Sequence, residues 1–396
     1  MNALRTLISD RIRNHGPISV AEYMDLALYH PVHGYYTRAS RRTGRAGDFL
    51  TSVDVGPVFG ELLARQFAEM WRVLRGFESQ IPSPEPRIPN PESRTPNPES
   101  PFFDLVEAAA GDGCLARDIL DAAARHHAEW YASTRLHLVE VGPTARGAQL
   151  ETLGPHAGVL VSSSAAVPES VEGTIFANEL LDALPTHAVV MRKDGLREIL
   201  VDVSGDSLVQ CEAPPSTPEL NKYLSRAGVE LEPGWRAEIN LQAVQWIRRA
   251  ARSLRKGFLV LIDYGHEATE LYSATHAAGT LATFRRHVSG DWRALLDDPG
   301  EHDITAHVDL STVTRTCEEE GLVTLGRLDQ TYFLLGLGLG DMVSASETSA
   351  PAIKKRLAFK TLILPGGLGS TLKVLIFGKD VGMPALAGLS FRARLT

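Results

Sequence analysis

LVEAAAGDGCLARDIL (residues 105–120) decides the fold, because an apolar run of strand length passes through a glycine turn into a helical pattern. Gly111 and Gly113 fall in that turn, where the missing side chains let the backbone approach a ligand. The same spacing also occurs in turns that need glycine only for their geometry. The flanking sequence decides between the two interpretations.

Strands and helices alternate on both sides of this turn. Helical periodicity covers 115–124, 143–153 and 241–254, and the other apolar runs have strand length: LHLVEV (136–141), GVLVSS (158–163), GTIFANEL (173–180), FLVLIDYG (258–265) and STLKVLIFGKD (370–380). Such alternation predicts parallel βαβ units in a doubly wound, Rossmann-like α/β sheet. Residues 186–212 alternate every two residues around turn pairs at 194–195 and 205–206, which predicts an inserted β-meander.

Three segments are predicted along the chain. Residues 1–75 form an N-terminal helical region that includes the loop GDFLTS (47–52). Residues 76–101 contain the repeated tract IPSPEPR, IPNPESR and TPNPES, whose prolines cannot join a helix or an interior strand, so a flexible insertion is expected. Residues 102–396 form the sheet domain, with the β insertion at about 186–234 and a C-terminal helical part.

Acidic side chains close successive strands of the predicted sheet. Glu107 ends the first strand, and Glu140 ends the second about 30 residues later. An acid that closes the second strand is placed to accept both hydroxyls of a ribose. The turn lacks the lysine of a GxxxxGK[ST] phosphate loop. Adenosylmethionine has a positive sulfonium and no phosphate, so it suits this acidic pocket better than a dinucleotide does.

The fourth strand runs into FANELLDALP (176–185), which places Asn178, Glu179 and Asp182 at the carboxyl edge of the sheet, the usual ligand crevice of open α/β folds. One interpretation is a polar helix start, with Asn178 as the cap and the acids favoured by the helix dipole. In the other, carboxylates face a transferring methyl group and hold a cationic acceptor such as a guanidinium. Glu179 and Asp182 are the candidate catalytic residues of that second interpretation.

The composition is that of a soluble globular protein, with 44% hydrophobic residues, 22% charged residues and a net charge of −8. This charge argues against a nucleic-acid partner, since duplex binders usually carry a basic stripe. No apolar run approaches the roughly 20 residues that span a bilayer. The three scattered cysteines and an N-terminus without an apolar signal core predict a cytoplasmic protein without disulfides.

Several blocks of sequence resemble the MidA family of class I methyltransferases, and they occur in the family's order. These blocks are GDFLTS (47–52), VFGELL (58–63), LVEAAAGDG (105–113), LHLVEV (136–141), ANELLDALP (177–185), LIDYGH (261–266), DPGEHDITAHVD (298–309) and LKVLIF (372–377). The resemblance implies the cofactor S-adenosylmethionine and a GDFLTS loop that closes over it. The cofactor-binding residues implied are Gly47, Asp48, Phe49, Thr51, Glu107, Gly111, Gly113, Glu140 and Asn178.

The resemblance also implies an activity. The family's mitochondrial members are complex I assembly factors that methylate an arginine of a complex I subunit, so a protein substrate of that type is expected. One departure affects this expectation: the family's ELGPGRG is EAAAGDG here, with Ala109 at the first glycine, which predicts weaker cofactor binding. Two alternatives therefore stay open, a small-molecule or RNA methyltransferase and a non-catalytic assembly protein that kept the fold.

Three other patterns point less clearly to function. His307 and Asp309 could form an acid–base pair, although a strand-end histidine bonded to its own loop fits equally well. The two adjacent histidines at 126–127 have no further ligand at metal spacing, so they are expected to form a solvated helix end. GLGLGD (336–341) follows no convincing strand, so it is not a nucleotide loop.

Overall fold

The computed structural model describes residues 2–38, 51–76, 102–285, 288–290, 292–342, 360–362 and 371–391. Its helices are α1 (Ala3–His15), α2 (Val20–Tyr29), α3 (Tyr35–Arg38), α4 (Val58–Leu74), α5 (Cys114–His126), α6 (Ala128–Ser133), α7 (Pro143–Leu153), α8 (Glu219–Ala227), α9 (Leu241–Ser253), α10 (Ala268–Leu271), α11 (Trp292–Asp297), α12 (Leu310–Glu319) and α13 (Gln330–Gly336). Its strands are β1 (Ile18–Ser19), β2 (Phe103–Ala108), β3 (Thr134–Val139), β4 (Leu160–Ser164), β5 (Val171–Asn178), β6 (His187–Arg192), β7 (Gly195–Ser204), β8 (Ser207–Ala213), β9 (Arg236–Ile239), β10 (Leu254–His266), β11 (Ala282–Arg285), β12 (Val288–Gly290), β13 (Asp303–Thr305), β14 (Val308–Asp309), β15 (Val323–Asp329) and β16 (Leu372–Lys379).

The main sheet has the strand order β15-β16-β10-β5-β2-β3-β4, with β14 paired to the end of β10. Five of these strands run parallel to one another, namely β10, β5, β2, β3 and β4. The strands β16 and β15 add an antiparallel edge beside β10. After β2 the chain adds β3 and β4 on one side of it, and then crosses from β4 to β5 on the other side of β2, so the strand order reverses at β2. Ligands of doubly wound sheets bind at such a reversal, beyond the carboxyl ends of the strands.

Helices cover both faces of the main sheet. On one face α4 and α5 pack over Leu105 and Val260, and on the other α9 and α12 pack over Val106 and Leu259. Neighbouring residues of one strand therefore enter different cores, as the period-two geometry of a strand requires. Gly60 lets α4 lie against α5, since a β-carbon there would stand 2.7 Å from the β-carbon of Asp118.

A second, antiparallel sheet has the order β1-β7-β6-β9, with β8 on the other edge of β7. This is the inserted β-meander that the alternation predicted, extended by one strand from each side of the chain. Helices α1 and α2 pack on it through Leu4, Ile8 and Met24. The helices before residue 75 thus divide between two cores, because α4 packs on the main sheet instead. A small third sheet, β12-β11-β13, lies later in the chain.

The architecture agrees with the fold class predicted from the sequence, a doubly wound α/β sheet with N-terminal helices and a β-meander. Within the ranges described above, no helix is both long and apolar enough to cross a membrane.

Candidate active site

The turn between β2 and α5 has a left-handed backbone at three positions. The φ angles are +57° at Ala109, +51° at Gly111 and +87° at Gly113. A β-carbon on Gly113 would lie 3.3 Å from Leu138, whereas one on Gly111 would meet nothing within 4 Å. Gly113 is therefore needed for close packing, and the backbone at Gly111 faces open space in which a ligand can approach.

Glu140 ties this turn to the end of the neighbouring strand. Its Oε2 accepts a hydrogen bond from the Gly111 amide at 3.0 Å, and its Oε1 accepts one from the Gly142 amide at 2.6 Å. The Gln149 side chain donates to the Gly111 carbonyl at 2.8 Å. A carboxylate offers about four acceptor positions, so Glu140 keeps capacity for ligand hydroxyls.

Glu107 lies beneath the turn, at the end of β2, and only 4% of it is exposed. Its Oε2 has no hydrogen-bond partner among the residues that the structure describes. Burial raises the pKa of this carboxyl well above its usual value, and the nearby charges of Asp112 and Glu140 raise it further. A buried acceptor left without a donor is costly, so Glu107 is a group that a ligand donor would stabilise.

The end of β5 brings Asn178 and Glu179 to the same edge of the sheet. Asn178 donates through Nδ2 to Glu179 Oε1 at 3.1 Å, while its buried Oδ1 lacks a partner within the described part of the chain. Glu179 has a φ of +53°, and its amide donates to the Ile262 carbonyl at 2.8 Å. Asn178 caps no helix here, since residues 179–186 form turns rather than the helix start considered above. A non-glycine residue in this backbone region stores strain of about 1–3 kcal/mol, which occurs often at functional sites.

Asp182 and Asp263 form a buried acidic pair behind Glu179. Asp263 Oδ2 accepts hydrogen bonds from the amides of Leu180 and Leu181, at 3.1 and 2.7 Å. Burial raises the pKa of Asp263 to about 7 and raises that of Asp182 well above its usual value, with Asp263 and Glu179 adding charge repulsion at Asp182. Repulsion between these two buried carboxyls keeps a proton on the pair near neutral pH.

The GDFLTS loop is described only from Thr51 onward. Thr51 is buried, and the Ser52 amide donates to Glu179 Oε1 at 3.4 Å. The Ser52 hydroxyl donates to the buried Gln330 at 3.1 Å. Gly47, Asp48 and Phe49 lie outside the described residues, as does the proline tract. The end of this loop therefore reaches the edge of the sheet where β5 ends.

Two tyrosines from the N-terminal helices reach this edge, and the sequence did not indicate them. Tyr36 donates to Asp303 Oδ1 at 2.5 Å, Tyr29 donates to the Ala183 carbonyl at 3.0 Å, and the two rings stack with centroids 5.5 Å apart. Burial raises the pKa of Tyr36 well above its usual value, and Asp303 adds to this effect. In the sequence, only the aromatic stretch at 30–38 and Asp303 in the DPGEHDITAHVD block could have suggested that these tyrosines lie at the site.

His307 and Asp309 do not form an acid–base pair. Asp309 instead accepts the amide of Thr312 at 3.0 Å and caps α12. The His307 ring lies beside His266 and His276, with ring centroids 5.1 and 6.0 Å away. No comparable group of metal-binding side chains includes residues 126–127 in the ranges that the structure covers.

Comparison with known proteins identifies the family. A model for S-adenosyl-L-methionine-dependent methyltransferases matches residues 62–328. The mouse mitochondrial protein arginine methyltransferase NDUFAF7 is 29% identical over 91% of this chain and 80% of its own length, and the Drosophila melanogaster homologue is 29% identical over 82% and 72%. A Burkholderia thailandensis structure solved with S-adenosyl-homocysteine superposes with a TM-score of 0.82 and 27% identity, covering 98% of this chain and 94% of that one.

These relatives correct one expectation. The mouse and Drosophila relatives are named as mitochondrial proteins, so the predicted cytoplasmic location is contradicted. The scattered cysteines favoured a reducing compartment, and cysteine usage does not separate one reducing compartment from another.

Proposed function

We propose, because this chain belongs to the MidA family of S-adenosyl-L-methionine-dependent methyltransferases, that it methylates an arginine side chain of a protein. The observation that carries the proposal is the acidic edge formed by Glu179, Asp182 and Asp263, where β5 and β10 end. Carboxylates are the groups that bind a guanidinium through paired, charge-assisted hydrogen bonds. The names of the curated relatives support the same acceptor.

The residues at the glycine turn fit S-adenosylmethionine. Oε2 of Glu107 and Oδ1 of Asn178 are buried acceptors that lack partners in the described part of the protein, and the cofactor's ammonium and amino groups are donors. Glu140 would accept the ribose hydroxyls, and Gly111 leaves room for the nucleoside. Gly113 keeps α5 close to the sheet. We assign Thr51, and with it Gly47, Asp48 and Phe49, to the loop that closes over the cofactor.

The cofactor supplies a methyl group that is already activated by the sulfonium charge. The residues of the chain then have to position the acceptor and shield it from water. With the cofactor bound at the glycine turn, a guanidinium nitrogen held by Glu179 would take the methyl group from sulfur, which would keep the electron pair of the broken bond, and the nitrogen would release its proton to solvent water. Glu179 is partly exposed, whereas Asp182 is 7% exposed. We therefore assign contact with the guanidinium to Glu179, and assign to the Asp182–Asp263 pair behind it the role of keeping one negative charge there.

The partner is proposed to be a subunit of respiratory complex I type, as the family resemblance implies. A basic, arginine-containing segment would also complement the net charge of −8 on this chain.

The test uses the full chain with labelled S-adenosylmethionine and a cell lysate, followed by total hydrolysis and identification of the labelled product. We expect methylarginine from a protein fraction. Glu179→Gln should lower kcat/KM for the acceptor by about 10–100-fold, the effect of losing a hydrogen bond to a charged group, and should leave cofactor affinity within about threefold. Glu230→Gln, at an exposed position, is the matched control.

Two results would contradict the proposal. Label recovered in RNA or in a small molecule would assign a different acceptor. Tight cofactor binding without any transfer, in all fractions, would indicate a non-catalytic assembly protein.

A further inference from the structure

Three histidines from separate segments of the chain meet beside the end of β10. His266, His276 and His307 each place a ring nitrogen within 4.8 Å of the other two. The ring centroids of His266 and His276 are 4.8 Å apart. Methyl transfer as described above uses none of these side chains.

The backbone holds these histidines at fixed positions. His266 is the last residue of β10, and β14 begins directly after His307 and pairs with β10 in parallel register. The amide of His307 donates to the Thr280 hydroxyl at 3.0 Å. His276 ends a short 3₁₀ turn, and its amide donates to the Ser273 carbonyl at 3.0 Å. His266 thus ends one strand, His307 directly precedes the strand that pairs with it, and His276 lies in a turn.

Glu270 engages two of the three rings through the same type of nitrogen. Its Oε1 lies 3.1 Å from His266 Nδ1, and its backbone carbonyl lies 3.0 Å from His276 Nδ1. This leaves Nε2 of both rings available. Histidines that bind metals usually donate their other ring N–H to a carboxylate or a backbone carbonyl in this way. His307 has a buried Nδ1 with no partner among the residues described.

We propose that His266, His276 and His307 bind one divalent transition-metal ion, with zinc as the ion that suits the site. Three imidazoles are a known zinc-binding set, and zinc accepts water or a further ligand at the fourth tetrahedral position. Nitrogens bound to one tetrahedral zinc stand roughly 3.3 Å apart, given bonds of about 2.0–2.1 Å. The ion therefore draws the three rings together by at most about 1.5 Å.

The ion would act as a structural clip rather than in methyl transfer. His266 lies three residues beyond Asp263 on β10, which is roughly 10 Å along a strand. The site therefore lies beyond the acidic pair of the crevice. It joins the end of the main sheet to residues 267–280, a segment whose other links to the body include Ser311 and Glu238. This inference does not depend on the identity of the methyl acceptor.

The test is a calorimetric titration of ZnCl₂ into the full chain after treatment with a chelator. We expect one equivalent of zinc to bind and the melting temperature to rise by about 3 °C when free zinc is about 100 times the Kd. His276→Ala should weaken binding by at least about 100-fold, and Glu270→Gln should weaken it by about 10-fold or more. With Co²⁺ in place of zinc, the visible absorption of the bound ion should disappear in His276→Ala.

His126→Ala is the control, since it removes an exposed histidine from the adjacent pair at 126–127. It should leave zinc affinity unchanged. Circular dichroism checks the fold of each variant, and His276→Asn, which keeps a polar side chain without the ring, replaces His276→Ala if that variant does not fold. Absence of stoichiometric binding, or equal affinity in the wild type and the His276 variant, would overturn the proposal.

Discussion

Ala109 has an unusual backbone conformation, which changes the effect expected from its side chain. From the sequence, an alanine in place of the family's glycine was expected to crowd the cofactor. The residue has a φ of +57° and its side chain is exposed. Alanine in this left-handed region costs about 1–2 kcal/mol, whereas glycine adopts it freely. The substitution therefore affects stability as well as the space available to the cofactor.

Ala109→Gly should leave the free energy of unfolding unchanged or raise it by up to about 1 kcal/mol. Relief of the left-handed strain outweighs or balances the roughly 0.5–1 kcal/mol that glycine costs through the entropy of the unfolded chain. If the methyl group also crowds the cofactor, S-adenosylmethionine should bind more tightly. Urea denaturation and calorimetry measure the two quantities.

Ala124→Gly provides the matched control for this prediction, because Ala124 is exposed on helix α5. Glycine there should destabilise by about 1 kcal/mol. Equal losses at both positions would show that Ala109 is not strained, and unchanged cofactor affinity would show that its methyl group does not crowd the ligand.

Glu140 combines two functions, since it holds the amides of Gly111 and Gly142 and is assigned to the ribose. Glu140→Ala should weaken S-adenosylmethionine binding by about 1–3 kcal/mol through loss of a charged acceptor. Glu140→Gln keeps one acceptor oxygen and should lose less affinity. Calorimetric titration measures both. Glu151→Ala, at an exposed position on α7, is the control, and an unchanged affinity of Glu140→Ala would place the ribose elsewhere.

At the scale of elements, the sequence predicted those helices, strands and turns whose defining residues lie next to one another in the chain. Ser19 stands three residues before Glu22 at the start of an apolar helical run, which is a capping signal, and its hydroxyl accepts the amide of Glu22 at 3.1 Å. The glycine turn, the strands on either side of it and the β-meander were predicted for the same reason. Hydrophobic period and turn residues are properties of neighbouring residues, so they are visible in sequence.

Arrangements between distant elements were not visible in the same way. β16 was predicted as a final strand, but its place between β10 and β15 depends on pairing across more than 100 residues. His307 was considered with Asp309 because the two are close in sequence, whereas its neighbours in space are His266 and His276. Tyr36 and Asp303 likewise meet only after folding. Contacts between separate segments depend on topology, and no local pattern specifies them.

At the scale of the whole molecule, the candidate site concentrates buried acids. Glu107, Asp182 and Asp263 are each less than 10% exposed, and burial raises the pKa of all three. Buried carboxyls of this kind oppose folding when they ionise. The same negative charge favours a sulfonium cofactor and a guanidinium acceptor. Stability and binding therefore impose opposite demands on this edge of the sheet, and the balance depends on pH.

An aspartate of the unfolded chain titrates near pH 4, whereas Asp263 in the folded protein titrates near pH 7. Between these values the folded chain holds a proton that the unfolded chain has lost. The stability that this proton confers is complete below about pH 4 and is lost as the pH rises through about 7. Asp182→Asn removes one acid of the pair, so the variant should lose less stability than the wild type as the pH rises.

We expect the free energy of unfolding of Asp182→Asn, relative to wild type, to increase by at least about 1 kcal/mol between pH 6.5 and 8.5. Burial also lowers the pKa values of His127 and His307 to about 4. Their contribution to the pH dependence of stability cancels in this comparison, because both proteins contain these histidines. Denaturant titrations at the two pH values measure the difference, and Asp206→Asn, at an exposed turn, should show none. A difference that stays constant with pH would mean that the acidic pair does not share a proton, and the charge assigned to the acceptor side of the crevice would then be fully present at neutral pH.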